Sequence, residues 1–161
     1  MSVRLGHLLV RNGILEGSQV KRALDEQART GVPFGVACEQ LFSVDPRDIE
    51  QAWAEQYAGI TQTVNPLQES IDPAAQSLVQ GRQAWQFGVL PIRWDDSELM
   101  VATTPDLLVR AHRFMTRHFD LPVFFVMTSS AHLESAIQRA YPLPGAVLPA
   151  GRSTSSRRSA A

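Results

Sequence analysis

The sequence has few cysteines, no long apolar run and no signal peptide pattern, which argues against a disulfide-rich, membrane-spanning or secreted protein. It contains a single cysteine, Cys38, so no disulfide joins two parts of the chain, and this favours a reducing compartment. No apolar run approaches the roughly 20 residues of a membrane-spanning helix, and charges among the leucines of residues 1–20 argue against a signal peptide. We therefore predict a cytoplasmic protein that does not itself insert into a membrane.

An excess of positive charge is also absent, which bears on nucleic-acid binding. The net charge is −1 at pH 7, and residues 1–60 hold six Lys and Arg against eight Asp and Glu. Contacts with phosphate groups need a basic surface. Short paired helices in this region resemble helix-turn-helix units, but their charge argues against DNA as a partner.

Motifs of catalysis are missing as well. The sequence has no glycine-rich phosphate loop ending in Lys and Ser or Thr, and no nucleophile paired with a base. Its four histidines lack a shared metal-ligand spacing. The sequence therefore predicts no metal site, no catalytic residue and no cofactor, and we expect that the protein is not an enzyme. Cys38 has no activating neighbour and is predicted to be a small buried residue.

What the sequence does contain is an internal repeat. Residues 4–27 and 33–56 are two copies of one helical unit, aligned by a shift of 29 positions. The paired positions are Leu5 and Phe34, Gly6 and Gly35, Glu16 and Asp45, Val20 and Ile49, Leu24 and Trp53, and Gln27 and Gln56. A repeat indicates one supersecondary unit used twice, and a ligand or partner is expected where the copies meet. The recurring glutamine ends an amphipathic helix, where packing does not require it.

Hydrophobic spacing and turn residues predict the secondary structure. Each copy is predicted to form two short helices, because its apolar residues recur at steps of three and four, and Asp45-Pro46 gives a strong helix start. After residue 60 the pattern changes to two strands joined by a turn at Asp95-Asp96, a helix, a third strand and a last helix capped by Ser129 or Ser130.

We therefore predict an α+β fold in two lobes. The N-terminal lobe, residues 1–60, consists of two tandem pairs of short helices. The C-terminal lobe, residues 61–141, combines helices with a small, mostly antiparallel sheet. Residues 142–161 are rich in proline, serine and threonine and have little to bury, so they are predicted to be a disordered tail.

The motif in the first copy resembles a known family. The copy begins Arg4-Leu5-Gly6, continues with two aliphatic residues, a glycine and apolar residues four apart, and ends at Gln27. A five-residue spacer, residues 28–32, separates it from the second copy. This arrangement is similar to the MshEN-type domain, found at the N-terminus of type II secretion and type IV pilus assembly ATPases and at the C-terminus of some membrane glycosyltransferases. The resemblance covers about residues 3–141.

The resemblance implies a regulatory domain of bacterial signalling that binds cyclic di-GMP. Its effector would be an attached or docked secretion or pilus ATPase, or a glycosyltransferase of exopolysaccharide assembly, which would place it at the inner-membrane face through its partner. By resemblance, the residues that contact the ligand are Arg4, Leu5, Gly6, Val20, Leu24, Gln27, Phe34, Gly35, Ile49, Trp53 and Gln56.

The chemistry of these residues suits a flat, doubly anionic dinucleotide. The Arg4 guanidinium can bind guanine or phosphate in a planar fork, or stack on a base. Gly6 would let backbone N–H groups approach an anion. Val20 and Leu24 offer an apolar ledge, and the Gln27 amide provides both a donor and an acceptor. For the apolar residues the alternative is simple helix packing, and for the glycines close contact between helices.

The second copy departs from the motif. Pro33 replaces the arginine, and Phe42 replaces a glycine. Loss of one well-made charged hydrogen bond costs about 1.5–3 kcal/mol, or one to two decades in affinity. Trp53 or Phe34 could compensate by stacking on guanine. The alternative function is therefore a protein–protein docking module of the same fold that has lost nucleotide binding.

Overall fold

The computed structural model describes residues 5–151, and these divide into two compact units between Ile60 and Thr61. The helices of the first unit are α1 Leu5–Arg11, α2 Gly17–Thr30, α3 Phe34–Phe42 and α4 Pro46–Ile60. The helices of the second unit are α5 Pro73–Gln76, α6 Gly81–Phe87, α7 Leu108–His118 and α8 Ser130–Ala140. Its strands are β1 Leu90–Asp95, β2 Glu98–Thr103 and β3 Val123–Met127. Among the described residues, no helix is both long enough and apolar enough to cross a membrane.

Local signals in the sequence set the helix ends of the first unit. Glu16 and Gln19 form a reciprocal capping box at the start of α2, which satisfies backbone N–H groups that have no partner within the helix. Gly31 ends α2 in the left-handed conformation, with φ of 78°. At the start of α4, Asp45 Oδ1 accepts a hydrogen bond of 2.9 Å from the Arg47 N–H. The two ends of α2 and the start of α4 therefore lie where the sequence predicts them, whereas α4 continues to Ile60.

The core of the first unit combines small side chains at the helix contacts with a few leucines. Helix α1 packs against α4, and α2 packs against α3. Ala23, Ala37 and Ala52 are fully buried at these contacts, together with Leu8 and Leu9. The partly buried residues that pack around them are Leu5, Ile14, Val20, Val32, Phe34, Phe42 and Ile49. Small buried residues allow the helix axes to come close together.

One surface network joins α1 to α4. The Glu55 carboxylate accepts hydrogen bonds from Arg11 at 3.3 Å and from the Asn12 amide at 3.4 Å. The pair is largely exposed, so its contribution to stability is small, at about 0–1 kcal/mol. This network positions the C-terminal end of α1 on α4 but contributes little to the stability of the unit.

The second unit contains a mixed sheet with the strand order β1-β2-β3. Strands β1 and β2 are antiparallel, with Leu90 opposite Ala102, and an irregularity in register occurs between Pro91 and Arg93. Strand β3 is parallel to β2, with Val101 opposite Phe125. The predicted α+β fold with a small sheet in its C-terminal part is confirmed. In detail the sheet is mixed, because α7 separates β2 from β3 and lets β3 start at the same end.

Residues 61–64, which directly follow α4 in the sequence, are hydrogen-bonded to β3. The Thr61 hydroxyl donates to the Phe125 carbonyl at 2.8 Å. The Met127 N–H donates to the Gln62 carbonyl, and the Val64 N–H donates to the Met127 carbonyl, both at 2.9 Å. Thr63 thereby forms a parallel bridge with Met127, on the side of β3 away from β2.

The end of α8 is tied into the second unit by Tyr141. Its hydroxyl donates to the Gln76 carbonyl at 2.6 Å, and its carbonyl accepts from the Trp85 indole N–H at 3.1 Å. Burial raises the pKa of Tyr141 to about 12. Residues 142–151 follow without helix or strand and end with Gly151 against Asp106. The rest of the predicted tail, residues 152–161, lies outside the described residues.

Candidate functional site

The predicted ligand-contact residues all belong to the first unit, at matching positions of the two copies. Arg4 lies outside the described residues. The others fall into three groups: the glycines near the start of α1 and α3, the residues beside them, and one face each of α2 and α4.

Gly6 and Gly35 are points of tight contact between the two helices of each copy. A Cβ atom on Gly6 would lie 2.8 Å from Val20 Cγ1, and one on Gly35 would lie 2.8 Å from Ile49 Cγ2. Such distances are shorter than carbon atoms tolerate, so a side chain at either glycine would force Val20, Ile49 or the helices themselves to shift. The two copies thus share one helix contact, and packing alone accounts for both glycines.

Leu5 and Phe34 lie beside these glycines and face the core. Both are partly buried and pack against the small-residue core of the first unit. The Phe34 ring also approaches Gly6, since its Cζ lies 3.4 Å from the position of a Cβ on that residue. The ring therefore fills space between the two copies.

The face of α2 changes from buried to exposed along its length. Val20 is partly buried against the core, whereas Leu24 is 50% exposed. Gln27 follows one turn later and is exposed. Ala23 supplies the fully buried contact of this helix. A large exposed apolar side chain next to an exposed amide is the part of the predicted site that packing does not explain.

The matching face of α4 is more closed. Ile49 packs against the core, and Trp53 and Gln56 are partly buried. The Trp53 ring lies 5.5 Å from the Tyr57 ring at an angle of 41°. Tyr57 lies outside the repeated motif, although its spacing of four residues from Trp53 on a helix indicates such a contact.

Cys38 is fully buried in the first unit, as predicted. Burial raises the pKa of its thiol, and the neighbouring Glu39 carboxylate raises that pKa further. A thiol of this kind stays protonated and unreactive near neutral pH. No group of three metal-ligating side chains is found among residues 5–151.

The second unit has a cavity that the sequence analysis did not predict. It lies between α7 and the start of β3 and has a volume of about 380 Å³. Its lining residues include His112, Met115, Phe119, Asp120, Val123 and Phe125. No sequence motif marked any of these residues.

The second unit also buries three threonine hydroxyl groups near the ends of β2 and β3. The Oγ1 atoms of Thr103, Thr104 and Thr128 have no hydrogen-bond partner among the described residues. Buried polar groups are normally paired with protein or with ordered water. These three buried hydroxyl groups therefore lie together in a part of the unit where hydrogen-bond partners are lacking among the described residues.

Comparisons with known proteins identify the family. The MshEN domain family matches residues 58–147, which is 90 of the 161 residues. The type IV pilus assembly ATPase PilB of Myxococcus xanthus (strain DK1622) is 26% identical over 144 residues, which are 88% of this chain and 25% of that ATPase. The chain thus spans about a quarter of the length of this relative.

Two solved structures resemble this chain. The first is described as MshE with cdg; it is 24% identical, has a TM-score of 0.48, and covers 86% of this chain and 99% of its own. The second is the N-terminal domain of XpsE, at 19% identity and a TM-score of 0.46, covering 86% and 94%. The family match itself falls on the second unit, whereas the predicted ligand residues lie in the first. Because the match covers more than half of the sequence, the chain belongs to the MshEN domain family.

Proposed function

We propose that this chain is a regulatory domain that binds cyclic di-GMP on its first unit and acts on a secretion or pilus assembly ATPase. Family membership supports a regulatory or docking role. The observation that carries ligand binding is the half-exposed Leu24 next to the exposed Gln27 on α2. Both occupy motif positions, and neither is needed to pack the helix.

The face of α2 matches the chemistry of a guanine nucleotide. A purine ring laid over Leu24 covers apolar surface that water otherwise meets, which contributes about 1 kcal/mol. The Gln27 amide can donate to a guanine acceptor and accept from a guanine N–H group. Arg4 precedes α1 in the sequence and offers a guanidinium for phosphate or guanine.

On this proposal the chain performs no reaction and needs no cofactor. It regulates the effector because the ligand binds one of two states of the domain and its effector more tightly, and so shifts the equilibrium towards that state. The effector is an attached or docked ATPase, and a membrane glycosyltransferase of exopolysaccharide assembly is the second class of effector. The proposed place of action is the cytoplasmic face of the inner membrane, reached through that partner.

Calorimetric titration with cyclic di-GMP tests the proposal. We expect saturable binding with a Kd of about 1 μM or tighter, near −8 kcal/mol. Gln27→Ala should weaken it by about tenfold or more, since a buried guanine group would lose its hydrogen bond. Gln40→Ala is the matched control, because this exposed glutamine lies on α3 outside the predicted site.

The alternative function is a docking module without a nucleotide. The departures of the second copy favour it, above all Pro33 at the arginine position and the aromatic pair Trp53 and Tyr57. Heat no different from dilution into buffer would contradict ligand binding. If the same protein still bound an ATPase of the secretion class, docking would be the function that remains.

A further inference from the structure

We propose that only the first copy of the repeat is a ligand half-site, so that the chain recognises a single guanylate half of cyclic di-GMP. This inference rests on the proposed function. Cyclic di-GMP has two identical guanylate halves, and two equivalent copies of a repeat would be expected to hold one half each. The copies in this chain are equivalent in backbone packing but differ in the surface they present.

The scaffold of the two copies is the same. Gly6 meets Val20 and Gly35 meets Ile49 at the same distance of 2.8 Å from the added Cβ atom. Ala23 and Ala52, at matching positions of α2 and α4, are both fully buried. A difference in binding between the copies therefore comes from their surface side chains and not from a different fold.

Access to the apolar ledge differs between the copies. Leu24 is 50% exposed on α2. Its counterpart on α4 is Trp53, whose ring packs on Tyr57 at 5.5 Å; Tyr57 directly follows the second copy, and the residue that directly follows the first copy is Ala28. Because Trp53 is partly buried and already has a ring partner, a guanine would have to compete with Tyr57 for the indole surface.

The start of the second copy also lacks side chains that could bind guanine. Pro33 precedes α3, so the residue at the arginine position has neither a charged group nor an N–H group to offer. The neighbouring Phe34 ring is held against Gly6 and the core. Neither residue of the second copy can therefore replace the contact that Arg4 offers in the first.

Charge separates the copies further. The first copy, residues 4–27, has four Lys and Arg against three Asp and Glu, a net charge of +1. The second copy, residues 33–56, has one against five, a net charge of −4. At the position where the first copy has Lys21, the second has Glu50. An anionic phosphate is attracted to the first surface and repelled by the second.

A titration series with ligand halves tests this inference. The purified chain is titrated with cyclic di-GMP, with the linear guanylate dinucleotide and with guanosine monophosphate. If one half carries the contacts, the monophosphate should bind within about tenfold of cyclic di-GMP. If both halves carry contacts, losing one should weaken binding by more than about 100-fold, and this result would overturn the inference while the proposed function stands. Absence of binding by all three ligands would overturn both.

The repeat supplies matched variants at equivalent positions. Gln27→Ala should weaken cyclic di-GMP binding by about tenfold or more, whereas Gln56→Ala should change it by less than about twofold. Thermal unfolding followed by circular dichroism shows whether each variant is folded. Equal losses in the two folded variants would show that both copies bind, and the inference would fail.

A gain-of-function variant gives the second readout. Pro33→Arg, Trp53→Leu and Tyr57→Ala together give the second copy the side chains of the first. This triple variant should bind cyclic di-GMP about tenfold or more tightly than the natural chain, with the affinity for guanosine monophosphate changed far less. A folded triple variant with unchanged affinity for cyclic di-GMP would count against a missing second half-site.

Discussion

The two units of this protein differ in the size of their buried side chains, and the family match and the predicted ligand residues lie in different units. The helical first unit is joined by small side chains, with glycines and alanines at the helix contacts. The second unit is built around large ones, such as Leu90, Ile92, Leu133 and Ile137, on a three-stranded sheet. The family match falls on the second unit, whereas the predicted ligand chemistry belongs to the first.

This difference teaches that family membership and ligand binding are separate questions here. The second unit can retain its packing, and with it the family pattern, while the surface of the first unit changes. The departures at Pro33, Trp53 and Tyr57 fall on that surface and leave the glycine contacts intact. Ligand binding must therefore be measured on the first unit and does not follow from the match.

The largest effect is expected in the core of the second unit. Leu133→Ala removes a fully buried side chain of α8 and should lower the free energy of unfolding by about 2–5 kcal/mol, because a cavity remains. Urea unfolding followed by circular dichroism measures it. Leu24→Ala, at a half-exposed position, is the control, with an expected loss below about 1 kcal/mol. A loss as small for Leu133→Ala would mean that the second unit is not packed around α8.

The first unit should instead be sensitive to added volume. Gly35→Ala places a Cβ 2.8 Å from Ile49 Cγ2 and should cost about 1–3 kcal/mol of unfolding free energy. Gly59→Ala is the control, since nothing lies within 4 Å of its added Cβ, and a helical alanine should be neutral or stabilising. Chemical unfolding followed by circular dichroism measures the difference between the two variants. Equal stability of the two variants would argue against close contact between α3 and α4.

High pH should weaken the second unit through Tyr141. Burial raises the pKa of this side chain to about 12 from an unfolded value of 10.0, so the unfolded chain loses its proton first. The stabilisation is complete below pH 10 and is lost as the pH rises towards 12. Between pH 9 and 11.5 we expect a loss on the order of 1–2 kcal/mol that is absent in Tyr141→Phe. The same loss in both proteins would assign it to other groups.

The smallest effect is expected at Cys38. Because cysteine is larger than alanine by only one sulfur atom, Cys38→Ala in this core should cost less than about 1 kcal/mol. Urea unfolding compared with the natural chain measures the difference. A cost as large as that of Leu133→Ala would show that the two cores respond alike, and the contrast between the units would not hold.

The helix boundaries could be predicted because local residues set them. The second helix runs over Gly17–Thr30, as its apolar spacing and Gly31 indicate, and Ser129 caps α8 by accepting from the His132 N–H. The parallel direction of β3 was missed, although a helix between β2 and β3 is the usual sign of a parallel pair. The direction of a strand depends on the length and structure of the segment that connects it to its neighbour, and no single residue of that segment determines it.

The candidate site could be predicted only as a set of positions. The repeat indicates which residues are equivalent, but exposure depends on neighbours that approach from elsewhere in the fold. Leu24 is exposed and Trp53 is covered by Tyr57, and no spacing within either motif distinguishes them. The glycines also have a packing reason that becomes visible only when Val20 and Ile49 are placed beside them.

The bonding of residues 61–64 to β3 has a mechanical consequence. Helix α4 ends at Ile60, and the next residue, Thr61, is already bonded to Phe125. Within the second unit, the three hydrogen bonds of residues 61–64 lie side by side along β3. Pulling this segment away along the strand would load these bonds in parallel, so they would have to break together.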